Sequence, residues 1–194
     1  MKQPRVAIGL DPGGTTGGAY LLNPEDKPLS HWVWGAFEFD RCKDDGRLMG
    51  LLRELGAISR EAEPYRAEAV VHIIYESFDF RHEERNRDKI AYTAAEVIGA
   101  LRLWAYERPY VRLIRSGASL GKGFWTDDKI KKLGLWVPGK RHAMDATRHL
   151  LRHLAFTQDR TELFQPFRPG GPYVETEVEC APGCSGNYPD CPKA

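Results

Sequence analysis

Residues 5–14 of the chain read RVAIGLDPGG. The apolar run at residues 5–10 predicts a short buried strand, and the DPGG that follows predicts a tight turn. Two more strands are predicted at residues 18–22 and 31–39, where apolar residues dominate and Asn-Pro closes the first run. Because short connections join these three strands, the start of the chain predicts an antiparallel meander.

The remainder of the chain alternates between helical and strand patterns. Leucines recur at helical spacing after Asp45, which is a suitable N-cap, and two more β-rich runs cover residues 69–75 and 110–114. Further helices are predicted at residues 88–106, 126–133 and 141–156. The order β-β-β-α-β-α-β-α-α predicts an α/β fold in which helices cover both faces of a five-stranded mixed sheet.

Length and composition indicate one compact domain with a tail. The 194 residues are 42% hydrophobic, which is enough for a proper core. We place the domain at residues 1–160 and expect the Pro/Gly-rich, acidic, cysteine-containing segment 161–194 to be flexible. Cys180, Cys184 and Cys191 could contribute to a zinc site, but a fourth ligand is missing nearby, so metal binding by the tail stays open.

Charge is unevenly distributed along the chain. The formal net charge is only +1, which by itself argues against a generic nucleic-acid binder. Residues 108–141, however, carry nine basic and two acidic residues, and residues 175–194 carry four acids and one Lys. The basic segment is therefore masked by an acidic end. Because neither a membrane-spanning run nor a signal-peptide pattern is found, we expect a cytoplasmic protein with no membrane partner.

Three carboxylates stand where core packing would not place them. Asp11 follows the first strand, Glu76 follows the apolar fourth strand, and Asp145 lies in the first turns of the last helix. If the first and fourth strands are neighbours, Asp11 and Glu76 meet at the carboxyl ends of the strands. Two carboxylates that close favour a bound cation, and hard oxygen ligands select Mg²⁺ or Mn²⁺.

The last helix supports this hypothesis by its geometry. At 100° per residue, His142 and Asp145 share an edge that faces away from the apolar stripe containing Leu150 and Leu154, and His149 and His153 lie close to that edge. One nitrogen and one oxygen could therefore reach the same metal. The alternative is ordinary: a turn-forming Asp, a solvated Glu and the wet face of a helix.

The ordered motifs resemble a known family. Residues 8–19 read IGLDPG-x4-GA, Tyr75-Glu76 closes the fourth strand, and His142-x-x-Asp145-Ala146 begins the last helix. Together, over about residues 5–156, they resemble RuvC-type Holliday junction resolvases, in particular the compact bacteriophage enzymes of the RNase H-like nuclease superfamily.

This resemblance implies a fold and an activity. The fold would be an RNase H-like sheet, and the protein would be a homodimer that nicks two strands across a four-way DNA junction in a bacterial or phage-infected cell. Two Mg²⁺ ions, replaceable by Mn²⁺, would be held with Asp11 shared between them, Glu76 on one, and His142 and Asp145 on the other. Such a pair of ions suits phosphodiester hydrolysis.

The family also implies DNA-contacting positions. An aromatic wedge follows the fourth strand in the family, and Phe78 and Phe80 are both candidates here. The basic candidates before and at the last helix are Lys122, Lys129, Lys132, Lys140 and Arg141. The helix at residues 88–106 is rich in small residues and is a candidate dimer helix, although the same residues would also suit packing on the sheet.

Two other functions fit parts of the sequence. The DPGGTTGG hairpin also resembles the phosphate-binding loop of actin-like and sugar-kinase ATPases, although the chain is too short for the second domain of those proteins. A catalytically inactive junction-binding protein would keep the same fold. Within the nuclease interpretation, four-way junctions, forks and flaps all remain possible substrates.

Overall fold

The computed structural model describes residues 5–22, 31–40, 45–61, 71–77, 88–117 and 123–167. Five strands, four α-helices and a 3-10 helix lie in these ranges, in the order β1 Val6–Asp11, β2 Thr15–Leu22, β3 Val33–Asp40, α1 Asp45–Arg60, β4 Val71–Ser77, α2 Asp88–Tyr106, β5 Val111–Gly117, α3 Asp127–Lys132, α4 Arg141–Thr157 and the 3-10 helix Thr161–Phe167. The predicted α/β element order is confirmed.

The sheet has the order β3-β2-β1-β4-β5. β2 pairs antiparallel with β1 and with β3, whereas β4 pairs parallel with β1 and with β5. A tight hairpin can join only antiparallel strands, whereas a parallel strand needs a longer crossover connection. Accordingly, α1 precedes β4 and α2 precedes β5. Leu10 is the register partner of Tyr75. The next residues, Asp11 and Glu76, therefore end two neighbouring strands at the same edge of the sheet.

One face of the sheet carries an apolar core. Alternate residues of β1 and β4, such as Ile8 and Ile73, are fully buried against α1 and α2. Leu55 of α1 and Leu101 of α2 belong to the same cluster. Burial of this apolar area is the main force that fixes the two helices on this face.

The opposite face is covered by α4, which packs against β1, β2 and β4. Two glycines allow this close approach, since a Cβ atom at Gly9 or Gly17 would overlap the α4 backbone at Ala146 or His142. The ordinary alternative, a wet face of α4, does not hold for the His residues near its polar edge: His149 is 1% exposed and His153 is 5% exposed. Polar side chains of the strands receive both rings, which the sequence of the helix alone does not reveal.

The described packing extends beyond residue 160, where we placed the start of the tail. Leu163 is fully buried, and the ring of Phe164 stacks on Trp125 at 6.0 Å between centroids. Met1–Phe164 form one compact unit and Gln165–Ala194 form a second. The three tail cysteines lie outside the described residues. Among the described residues, no helix is both long and apolar enough to cross a membrane.

Candidate active site

Asp11 ends β1, directly before the predicted tight turn, and its side chain is 16% exposed. Nδ1 of His142 lies 2.8 Å from Oδ2 of Asp11. Because a carboxylate can only accept, the imidazole donates in this bond. His142 is placed for this contact by Gly17, whose missing side chain lets the start of α4 approach the sheet. The His142 ring remains partly exposed.

Glu76 lies near the end of β4 and is held from both neighbouring elements. Nε2 of His149, on α4, lies 3.0 Å from Oε2 of Glu76, and Nδ1 of the same ring lies 2.8 Å from Oγ of Ser116 on β5. Since Glu76 accepts from Nε2, the neutral ring must accept the Ser116 hydroxyl at Nδ1. The chain Ser116–His149–Glu76 is buried at its centre and fixes one carboxylate oxygen.

Asp145 is buried in α4 and bonded to Arg148 one turn later. The Arg148 guanidinium also bonds Asp127 at the start of α3, and its Nε donates to the Trp125 carbonyl oxygen at 3.0 Å. Charge-assisted bonds of this kind are stronger than bonds between neutral groups. Arg148 thus connects the carboxylate of α4 to the segment that begins α3.

The three carboxylates share one arrangement. Asp11, Glu76 and Asp145 are each bonded through one oxygen to a nitrogen of α4. The partners are His142, His149 and Arg148. One helix therefore orients all three acids, and it does so only because it lies directly on the strands that carry two of them.

Asp11 has a raised pKa and feels the charges of both other acids. Burial raises the pKa of Asp11 to about 6, the hydrogen bond from His142 lowers it, and the charges of Glu76 and Asp145 raise it again. An acid that is costly to ionise beside two further acids favours a cation. Carboxylate oxygens are the donors that suit Mg²⁺ or Mn²⁺, so the three acids fit such an ion, and the imidazole of His142 is the softer donor of the set.

The ligand set is not preassembled for a metal. Among the described residues, no three His, Cys, Asp or Glu side chains stand close enough to hold an ion together. His142 and Arg148 provide the positive or hydrogen-bonding partners instead. Metal binding at this site would therefore require these acids to turn toward one another.

The predicted DNA-contacting residues occupy two places. Lys140 and Arg141 lie at the start of α4, beside Asp145, and line a cavity there. Lys132 is exposed on α3, whereas Lys129 is partly buried, with Nζ 3.6 Å from the centre of the Phe124 ring. The remaining predictions, Phe78, Phe80 and Lys122, lie outside the described residues.

The sequence analysis assigned no role to Ser116, Arg148 or His149. Ser116 was missed because the predicted fifth strand ended at residue 114, whereas β5 continues to Gly117. The spacing of Arg148 three residues after Asp145 is a helical ion-pair spacing that could have indicated it. His149 gave no such signal, since its partner Glu76 lies 73 residues earlier.

Comparison with solved structures finds the same fold in RuvC. The Thermus thermophilus RuvC structure is 19% identical over 79% of this chain and 96% of that chain, with a TM-score of 0.52. Thermus thermophilus RuvC in complex with Holliday junction substrate is 17% identical over 80% of this chain and 96% of that chain, with a TM-score of 0.55. The RuvC-like fold is thus confirmed. No family model and no curated protein sequence matches the chain.

Proposed function

We propose that the protein is a Mg²⁺-dependent, structure-specific endonuclease that resolves Holliday junctions and related branched DNA. It would hydrolyse paired phosphodiester bonds during phage-type recombination, replication or DNA packaging. The observation that carries the proposal is that Asp11, Glu76 and Asp145 are each bonded to a side chain of α4, on a fold shared with RuvC. That one similar RuvC structure contains a Holliday junction supports branched DNA as the substrate.

Some residues of the site would bind the ions, and others would hold those ligands in position. Asp11, Glu76, Asp145 and His142 would hold the ions, with Asp11 between them. Two bound ions would supply activation of the attacking water and stabilisation of the leaving 3′ oxygen. His149, itself anchored on Ser116, keeps one oxygen of Glu76 in place. Support of this kind fixes the orientation of a ligand before the substrate arrives.

Ionisation of Asp11 sets the condition for ion binding. With a pKa of about 6, the carboxyl is substantially protonated in mildly acidic solution and ionised above neutral pH. The imidazole of His142 donates to the ionised form and holds it toward α4. Asp11 is then ready to bind a cation at neutral or alkaline pH.

Cationic side chains beside the site would hold the DNA backbone. Lys140 and Arg141 precede Asp145 by one turn, so a phosphate bound to them would lie near the carboxylates. Lys129 and Lys132 would extend the contact along α3, and Lys122, Phe78 and Phe80 remain candidates for contacts at the branch point. Backbone contacts of this type position the duplex without reading its sequence. We further propose a homodimer, since a junction has two equivalent strands, and a cytoplasmic site of action.

A nicking assay tests the proposal. A synthetic four-way junction and a linear duplex with the same arm sequence are incubated with the protein, with Mg²⁺ or with EDTA. We expect nicks in the junction alone, only with Mg²⁺, and on two opposed strands. Glu76→Gln should remove them. Glu107→Gln is the matched control, because Glu107 is exposed and follows α2 at the opposite edge of the sheet.

The other outcomes identify the rival functions. Mg²⁺-dependent junction binding without any nick would identify an inactive junction-binding protein. Release of phosphate from ATP that survives Glu76→Gln would favour the actin-like or sugar-kinase ATPase. Either result would overturn the endonuclease proposal.

A further inference from the structure

A cavity of about 600 Å³ lies between α3, the connection that follows it and the first half of α4. Asp145 lines the cavity, so the cavity and the proposed active site share a wall. The volume lies within the range of small-ligand pockets. Its position means that a molecule bound here would sit beside the carboxylates.

The connection between the two helices shapes the apolar side of the cavity. Gly134 and Gly139 have φ angles of +72° and +76°, a conformation that favours glycine, and they bend the chain at both ends of this segment. Between them, Trp136 and Val137 line the cavity, and Met144 faces them from α4. Nζ of Lys131 lies over the Trp136 ring, 5.1 Å from its centroid, and Lys131 does not line the cavity. The indole surface that does line the cavity is the one on which a flat ring would stack.

The polar side of the cavity carries positive charge. Lys140 and Arg141 line it at the start of α4, and the Arg141 side chain is exposed. One backbone amide of the helix start, that of Ala143, already donates to Glu38. We assign the binding of an anion in the cavity to the Lys140 and Arg141 side chains, which line it.

Two acids in the lining do not cancel this charge. Asp127 and Asp145 are both bonded to the Arg148 guanidinium, which also lines the cavity. Arg148 offsets only one of the two carboxylates, so the three cations and two acids of the lining leave a net charge of about +1. Lys140 also donates to the Ala36 carbonyl oxygen at 3.5 Å, and its ammonium has further N–H groups to offer a ligand. The cavity combines an aromatic wall with a cationic rim, which are the two elements that bind single-stranded nucleic acid.

The geometry points to a subsite for one unpaired nucleotide of the DNA strand that is cut. The base would stack on Trp136, between Val137 and Met144, and the phosphate would bind Lys140 and Arg141. This inference rests on the proposed function and deepens it, because such a subsite would select DNA strands that are already unpaired at a branch point. Fully paired duplex offers no such nucleotide without the cost of unstacking.

Nucleotide binding to the full-length protein tests the subsite without any cleavage. Thymidine 5′-monophosphate is titrated into ¹⁵N-labelled protein in EDTA, and the Trp136 indole and the backbone amides of Lys140 and Arg141 are followed by NMR. We expect saturable shifts at these positions. Trp136→Ala should weaken binding by about fivefold or more, as expected for the loss of one base stack, and Trp136→Phe should retain most of it.

Three results would overturn the subsite. These are no saturable shift, equal binding by Trp136→Ala, and identical shifts with inorganic phosphate alone. If Trp136→Ala does not fold, Lys140→Gln gives the same test at the phosphate end, with unchanged binding as the contradicting result. Because the titration needs neither metal nor cleavage, its failure leaves the nicking assay unaffected, and an inactive protein that binds the nucleotide would contradict only the endonuclease.

Discussion

The two faces of the sheet are built from the same strands and differ in chemistry. Toward α1 and α2, β1 and β4 present apolar residues such as Ile8 and Ile73. Toward α4, the same strands present Asp11, His72 and Glu76. Burying titratable groups costs stability, so their concentration on one face indicates function there and structural support on the other.

The largest expected effect is on the α4 face and concerns cleavage. Asp11→Asn, Glu76→Gln or Asp145→Asn should each lower junction cleavage by about a thousandfold or more, since each would remove a proposed metal ligand worth several kcal/mol in the transition state. Single-turnover cleavage in Mg²⁺ measures the rate, and a gel-shift assay should show junction binding largely retained. Full cleavage by any of the three variants would contradict the assignment of the chemistry to the α4 face of the sheet.

The α1–α2 face should respond in the opposite way. Leu55→Ala removes a fully buried side chain and should lower the free energy of unfolding by about 2–5 kcal/mol. Urea denaturation measures the change, and cleavage per folded molecule should stay the same. Leu103→Ala is the matched control, because Leu103 is 66% exposed on α2. A specific loss of cleavage in Leu55→Ala would mean that this face also serves the chemistry.

The contrast between the two faces also shows how much of the fold and of the candidate site could be predicted from the sequence. Apolar periodicity and the turn after β1 were enough for the element order, because those signals are local. Asp11 and Glu76 could be grouped because strand ends converge in such sheets, and Asp145 was added from its place at the start of the last helix. The bond from His149 to Glu76 could not be predicted, because nothing in the helix sequence indicates that this ring is buried against β4. The 3-10 helix at residues 161–167 was missed because its anchor, Leu163, is one apolar residue without a period.

A buried His pair makes the α4 face sensitive to acid. Nδ1 of His72 lies 3.0 Å from Nε2 of His153, and the pKa of each is lowered to about 4, chiefly by burial. At His72, repulsion from His153 and then from Arg112 adds to the effect of burial. The unfolded chain binds protons near pH 6.5 and the folded chain does not. Stability is therefore full above pH 6.5 and is lost as the pH falls toward 4, by about 1 kcal/mol per His per pH unit.

Denaturation in urea at several pH values measures this loss. Replacing both rings, in His72→Phe with His153→Leu, should flatten the profile in that range. An equally steep profile in the double variant would assign the acid sensitivity to other groups.

A smaller effect should follow from added volume under α4. Gly17→Ala places a Cβ atom against the backbone of His142, which should cost about 1–3 kcal/mol and reduce cleavage by moving the start of α4. Gly56→Ala is the control on the other face: no atom lies within 4 Å of the added Cβ, and it should stabilise α1 slightly. Unchanged stability and cleavage in Gly17→Ala would contradict the close approach of α4.

Cation binding at the three carboxylates is tested most directly by the stability of the wild type and Asp11→Asn with and without Mg²⁺ at pH 7.5. Because the pKa of Asp11 is raised from 3.8 to about 6, its ionisation lowers the stability as the pH rises from 3.8 to about 6, and the full cost is present at pH 7.5. Without metal, Asp11→Asn should therefore be the more stable protein, by as much as about 3 kcal/mol. Added Mg²⁺ should stabilise the wild type and leave Asp11→Asn unchanged. Equal stabilisation of both proteins by Mg²⁺, or of neither, would contradict a metal site at Asp11.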